Sequence, residues 1–211
     1  MQRLLYILLY PILWLTSLLP MSLLYIKSSV LYLFAYYVIG YRRKVVKSNL
    51  QLVFPHKTVA ERKFIERQFY KHLCDLIFET IKSMSISEKE LRKRFEIENM
   101  DLLNDYFSKG RSTLVLCGHY ANWEWSNIVP VHTEAKGFGV YKPLRNKYFD
   151  ALIKKIRGRF GATIVTNKKI VASLFRSAKN GEHSITLMVA DQTPKKDAFK
   201  QRDTFMGIDV P

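Results

Sequence analysis

The run from Leu4 to Ile26, LLYILLYPILWLTSLLPMSLLYI, holds 23 residues and no charge. No other feature restricts the fold as strongly, because a helix of about 20 apolar residues is long enough to cross the hydrocarbon core of a bilayer. Tyr6, Tyr10, Trp14 and Tyr25 are amphipathic aromatics of the kind that favour membrane interfaces. Pro11 and Pro20 predict a kink, or a split into pieces lying in the interface. A second apolar stretch, Val30 to Ile39, is too short to span by itself. Gly40 follows, then Tyr41-Arg-Arg-Lys-Val-Val-Lys47. Arg42, Arg43, Lys44 and Lys47 therefore form a basic collar, expected beside anionic headgroups on the cytoplasmic side. The stretch does not offer the short apolar core and small-residue cleavage site of a secretory signal. Residues 1–40 read as a membrane-anchoring segment, with a buried hairpin of core helices as the alternative.

Charge divides the chain at the same point. There are 34 Lys+Arg against 18 Asp+Glu, a formal +16. Only Arg3 and Lys27 fall in the first forty residues, so the surplus resides almost wholly beyond them. Such an excess calls for an anionic partner: headgroups, an acidic protein or substrate, or nucleic acid. Binding of nucleic acid would interleave aromatics with bases on one exposed face. Here the aromatics gather in the N-terminal segment, so no nucleic-acid partner is expected. Two cysteines, Cys74 and Cys117, cannot make a disulfide framework, and with 48% apolar residues the fold can rest on packing.

Residues 41–211 have the texture of an ordinary soluble domain. In 61–82, Phe69, Leu73, Leu76, Ile77 and Ile81 recur at helical spacing. Ser87 ahead of Glu88-Lys89-Glu90 predicts an N-cap with a capping box. Past Gly110 three short apolar runs appear, 112–117, 161–165 and 184–190, separated by helical patterns at 147–159 and 170–179. Strands alternating with helices predict an α/β sheet with crossover helices, whose chemistry gathers where strands end.

The first strand runs into Gly118-His119-Tyr120-Ala121-Asn122-Trp123-Glu124. On one continuous α-helix, residues five apart point about 140° away from each other, so His119 and Glu124 would not meet. They can meet if His119 occupies the turn and Glu124 the following helix, with Gly118 permitting the turn and Asn122 as N-cap. Glu124 would then hold the imidazole, and His119 would take a proton from a substrate hydroxyl. The plain alternative is a His and a Glu satisfying each other at a helix start. No G-x-S-x-G, H-E-x-x-H or C-x-x-C motif is present, which gives a serine hydrolase or zinc enzyme no support; no metal and no cofactor are expected. Cys117 reads as a core cysteine.

These residues resemble the H-x-x-x-x-E block of the lysophospholipid acyltransferase superfamily, and Asn122-Trp123-Glu124 is similar to the wording in the late acyltransferases of lipid A biosynthesis. Three further segments agree in order. Tyr41–Leu50 with Phe54-Pro55 resembles the family's entry segment. Tyr141-Lys-Pro-Leu-Arg-Asn146 and Arg157-Gly-Arg-Phe-Gly161 resemble its Y-R-P-L-x-N and R-x-R-x-G blocks. Ala190-Asp-Gln192 with Phe205-Met-Gly207 resembles its D-Q…F-F-G block. Lys142 stands where Arg is usual and Met206 replaces the second Phe.

The resemblance implies N-terminal membrane-associated helices followed by a glycerol-3-phosphate-acyltransferase-like α/β domain, residues 41–211, with a central mixed sheet. Family members continue past this block, so a further C-terminal part is implied beyond Pro211. The implied activity is transfer of a fatty acyl chain from acyl carrier protein, or acyl-CoA, to a hydroxyl of a lipid A precursor or related envelope lipid at the bacterial inner membrane. His119 would be the base and Glu124 its orienter. Arg145, Arg157 and Arg159 are candidates for gripping phosphates, since guanidinium pairs with them bidentately. Asp191, after the third apolar run, would orient an Arg or His, or serve as a cap. The contrasting reading is a non-enzymatic, membrane-tethered basic module that binds anionic lipid or nucleic acid.

Overall fold

The structure is a computed structural model and describes residues 1–192 and 201–210; Pro211, the expected limit of the second domain, lies outside the described residues. The chain forms two compact units. One comprises Met1–Leu18 with Thr80–Asp191, the other Leu19–Glu79 with the described residues from Gln192 onward.

The apolar run at the start of the chain is two helices. α1 covers Gln2–Leu18 and α2 covers Met21–Leu33, continuing as π-helical turns through Phe34–Ile39. The break falls at Pro20, which sits extended ahead of α2 (φ −63°, ψ 153°). Proline has no N–H to give and drives the preceding residue out of helical geometry. Pro11, by contrast, is accommodated inside α1. The helix long and apolar enough to cross a membrane is therefore Met21–Ile39, 19 residues, rather than 4–26. Val30–Ile39, too short by itself, is the second half of that helix.

In the second unit the π-helical turns end at Gly40 (φ +64°), and α3 follows at Arg43–Val53. α4, Val59–Lys82, is the predicted amphipathic helix, and all but its last three residues belong to this unit. Tyr32, Tyr36, Tyr70 and Cys74 form its buried cluster. Polar groups of α2 are satisfied across the packing: Ser28 donates to Asp75 at 2.5 Å and Tyr25 to Glu79 at 2.9 Å. β5 (Asp203–Phe205) and β6 (Ile208–Val210) form an antiparallel hairpin. Its turn places both Met206 (φ +54°) and Gly207 (φ +76°) in the left-handed region, as a type I′ connection requires.

In the first unit α5 (Glu88–Arg92) carries the predicted cap, Ser87 Oγ accepting from the Glu90 N–H at 3.2 Å. After α6 (Met100–Ser108) come β1 (Thr113–Cys117), a 3-10 segment (Trp123–His132), β2 (Lys136–Tyr141), α7 (Lys147–Arg157), β3 (Thr163–Thr166), α8 (Ile170–Lys179) and β4 (Ser184–Val189). The sheet order is β1-β4-β2-β3, parallel throughout. A mixed sheet was the expectation. The sheet is parallel because every link between its strands contains a helical segment that carries the chain back to the same end. Among the described residues, antiparallel pairing is confined to the β5–β6 hairpin.

β2 escapes a reading of local pattern because two of its six residues are Gly137 and Gly139, which weaken strand propensity. Both positions are forced by close packing. A Cβ at Gly137 would collide with the Pro130 ring, and one at Gly139 would come within 3.0 Å of Ile164 Cδ1. Their face of the sheet carries the 3-10 segment. The other face carries α8, with Phe138, Val165 and Ile170 buried together. α1 is held within this unit: the Tyr6 ring stacks on Tyr148 at 5.7 Å and meets Phe149 edge-on at 5.4 Å. Lys82 and Ser85 donate to the Ser17 carbonyl.

Candidate active site

Parallel register decides which side chains meet. β1 and β4 are neighbours, and Cys117 is paired with Val189. Two residues beyond each strand end, His119 and Asp191 therefore arrive side by side. Asp191 Oδ2 accepts from the His119 backbone N–H at 2.7 Å, and Oδ1 lies 2.7 Å from the imidazole Nδ1. A carboxylate only accepts, so Nδ1 carries the proton of this hydrogen bond and the basic lone pair is on Nε2. Those N–H bonds, backbone first and imidazole second, hold the Asp191 carboxyl below the usual carboxylate range. The pair is accessible, with side chains 39% and 44% exposed.

Glu124 is elsewhere. Its two oxygens accept from Arg157, one from Nε at 2.7 Å and the other from Nη2. Glu124 was the expected orienter of His119; in this structure Asp191 stands at Nδ1. The local cause is backbone geometry. Ala121 takes φ +47°, Asn122 makes no side-chain cap, and the segment that follows is 3-10 rather than α-helix. This turn sets Trp123 against the imidazole, ring centroids 5.2 Å apart and edge-on. The Arg157 guanidinium lies over the Trp123 ring, 5.1 Å from its centroid. Glu124, Arg157, Trp123 and His119 thus form one packed series that links Glu124 to the imidazole.

The three arginines expected to grip phosphate differ in their commitments. Arg157 is held by Glu124. Arg159 donates to the carbonyls of Ser83 at 2.7 Å and Ile86 at 2.9 Å, tying α7's end to the chain ahead of α5. Arg145 is exposed on the loop between β2 and α7 and makes no hydrogen bond or ion pair among the described residues. That loop is pinned by Asp150, which accepts from the Leu144 N–H at 2.9 Å and the Tyr141 hydroxyl at 3.2 Å and pairs with Lys154 at 3.1 Å. Asn146 caps α7, accepting from the Tyr148 and Phe149 N–H groups.

The Asp150 carboxyl is held below its usual range, foremost by the Leu144 N–H and then by Lys154. A depressed folded pKa means the contribution is complete above the unfolded value of about 4 and is lost as the pH falls through the folded one. The Leu144 amide shift in NMR is therefore expected to titrate with a midpoint below about 4. In Asp150→Asn that titration disappears, and trypsin cleaves faster after Arg145.

Of the collar residues, Arg42, Lys44 and Lys47 are exposed. Arg43 is turned inward, 3.2 Å from Glu66 and 4.4 Å over the Tyr36 ring. Cys117 donates weakly to the Met188 carbonyl, and burial pushes its thiol up, which keeps it protonated. Beneath Trp123 a narrow cavity of about 50 Å³ lies between the 3-10 segment and the sheet. Gly139, Val140, Ile164, Leu187 and Val189 give it apolar walls, with Glu124 and Arg157 as its charged lining.

A sequence profile of the bacterial lipid A biosynthesis acyltransferases matches residues 1–201. The chain is 23% identical over 159 residues to a lipid A biosynthesis acyltransferase of Haemophilus influenzae, an alignment covering 75% of this chain and 50% of that protein. It is 24% identical over 188 residues to the lipid A biosynthesis lauroyltransferase of Escherichia coli, covering 89% and 61% respectively. The chain thus spans about half to three-fifths of the length of these relatives.

Proposed function

The chain belongs to the bacterial lipid A biosynthesis acyltransferase family, and from that premise we propose that it transfers a fatty acyl chain from acyl carrier protein or acyl-CoA to a hydroxyl of a lipid A precursor or related envelope lipid. The observation that carries the reading is the Asp191–His119 pair at the ends of two adjacent parallel strands, where α/β sheets hold their chemistry. His119 Nε2 takes the proton of the acceptor hydroxyl, and that oxygen attacks the thioester carbonyl carbon. The tetrahedral intermediate collapses with loss of the C–S bond, and the imidazolium returns its proton to the departing thiolate. The products are an ester and a free thiol. Because the thioester is already activated, no acyl-enzyme is required.

Asp191 is a positioning residue in this scheme: it fixes the tautomer and favours the imidazolium that forms. Glu124 and Arg157 act on the same centre through Trp123. Arg145, uncommitted among the described residues, can meet a phosphate of either substrate. Residues 1–40 anchor the chain at the inner membrane, with the α/β part, 41–211, working on the cytoplasmic side. The basic surface there suits acyl carrier protein, an acidic donor.

Mass spectrometry of membrane lipids with and without the gene tests the assignment. Loss of one acyl chain from lipid A or a related envelope lipid is expected, and an unchanged lipid profile would sink it. A narrower check uses Gly118→Ala. The new methyl would lie 3.0 Å from Asp191 Oδ2, so the carboxylate must give by a few tenths of an ångström. Transfer is expected to fall by about tenfold or less, since a full displacement of about 1 Å costs about a hundredfold, with the thermal midpoint little changed.

A further inference from the structure

The second unit contains a cleft that the acyl-transfer scheme does not use. It lies between facing sides of α3 and α4, has a volume of about 370 Å³, and is lined by Arg43, Lys47, Leu50, Gln51, Val59, Arg62, Lys63 and Glu66. Helical spacing explains the set: 43, 47 and 50 share one face of α3, and 59, 62, 63 and 66 share one face of α4. Four of these side chains are cationic. The single carboxylate, Glu66, is 2% exposed and already paired with Arg43. Arg62 donates to the carbonyls of Phe54 and Lys57, which closes the far end of the cleft. Lys47 and Lys63 are exposed and make no hydrogen bond or ion pair among the described residues.

A concave site with this surplus of positive charge lowers the energy of an anion placed in it. Leu50 and Val59 give the same cleft an apolar flank. We propose that the cleft between α3 and α4 is a phosphate site that takes the headgroup of an anionic phospholipid. Position in the chain favours a lipid source, because α3 begins four residues after Ile39, the end of the helix long enough to enter a bilayer. The site is distinct from a diffuse attraction of the basic collar to the membrane. It does not depend on the acyl-transfer reading, since none of its residues belongs to the His119 centre.

Calorimetric titration of the full chain in neutral detergent with water-soluble, short-chain phosphatidylglycerol tests it, with inorganic phosphate at matched ionic strength as the second arm. Saturable binding is expected. Lys47→Gln/Lys63→Gln is expected to weaken it about twenty-five-fold, since each lysine contributes about fivefold to headgroup attraction. Lys44→Gln/Arg67→Gln removes the same charge from outside the cleft and is expected to weaken it by about twofold or less. Both variants remove exposed side chains, and equal thermal midpoints will establish that they fold. If inorganic phosphate binds as tightly as the lipid and responds to the same variants, the site stands and free phosphate is its occupant. Equal losses in the two variants, or no saturable binding of either ligand, would overturn the proposal.

Discussion

Asp191→Asn is expected to lower kcat for acyl transfer by about 10²–10⁴-fold while leaving KM close to its original value. The loss is tautomeric in origin. Asp191 accepts at both oxygens, from the His119 N–H and from Nδ1, each at 2.7 Å. An asparagine retains one accepting oxygen, and its natural use is to keep the backbone N–H bond. Its amide group then faces Nδ1 as a donor, which forces the imidazole proton onto Nε2 and removes the lone pair that should accept the substrate proton. Glu124→Gln leaves both Asp191 contacts in place, so its effect on kcat should be about tenfold or less, transmitted through Arg157 and Trp123. The ordering of these two variants separates Asp191 from Glu124 as the partner of His119. A larger kcat loss in Glu124→Gln would assign that role to Glu124.

The second large effect falls on stability. Glu124 and Arg157 form a bidentate pair with side chains only 15% and 21% exposed. Removing one member of a fully buried pair costs about 3–5 kcal/mol, because the other charge is stranded. Residual hydration here reduces that to about 2–3 kcal/mol, or roughly 5–10 °C in the thermal midpoint of a chain this size. Arg157→Ala strands a carboxylate and also strips the cation from the Trp123 ring, 5.1 Å away. Glu124→Ala strands the guanidinium. The double variant strands neither, so its cost should fall short of the two single costs combined by about 2 kcal/mol. Strict additivity would mean that the pair is not coupled and that Arg157 is available to other anions.

Local chemistry made much of the fold legible. Ser87 was readable as a cap because capping depends on four consecutive residues, and the Ile170–Lys179 helix because its apolar spacing lies within ten. His119 could be singled out because it follows the first strand, where α/β chemistry collects. Asp191 was singled out too, as an orienter of an Arg or His, but which partner it meets is non-local. Asp191 lies 72 residues from His119, and the two meet only because β4 inserts between β1 and β2 in the sheet. Had strand order been known, equal offsets from Cys117 and Val189 would have announced the pair. Glu124 looked like the nearer carboxylate because sequence distance favours it. The left-handed turn at Ala121 and the 3-10 course beyond it aim it at Arg157 instead. β2 was hidden by two glycines whose purpose, room for Pro130 and Ile164, exists only in the packed state. At the N-terminus, Pro20 outweighed the unbroken hydrophobicity around it, so the longest apolar run and the longest apolar helix are different segments.

Removal of the acceptor's proton is the role proposed for His119. Its most direct test is the rate of acyl transfer from acyl carrier protein to a lipid A precursor, comparing the full chain with His119→Ala at equal folded concentration. Transfer by the intact chain is expected, with a fall in kcat of about 10²–10⁴-fold in the variant, the usual contribution of a general base. Equal rates in the two proteins would contradict it.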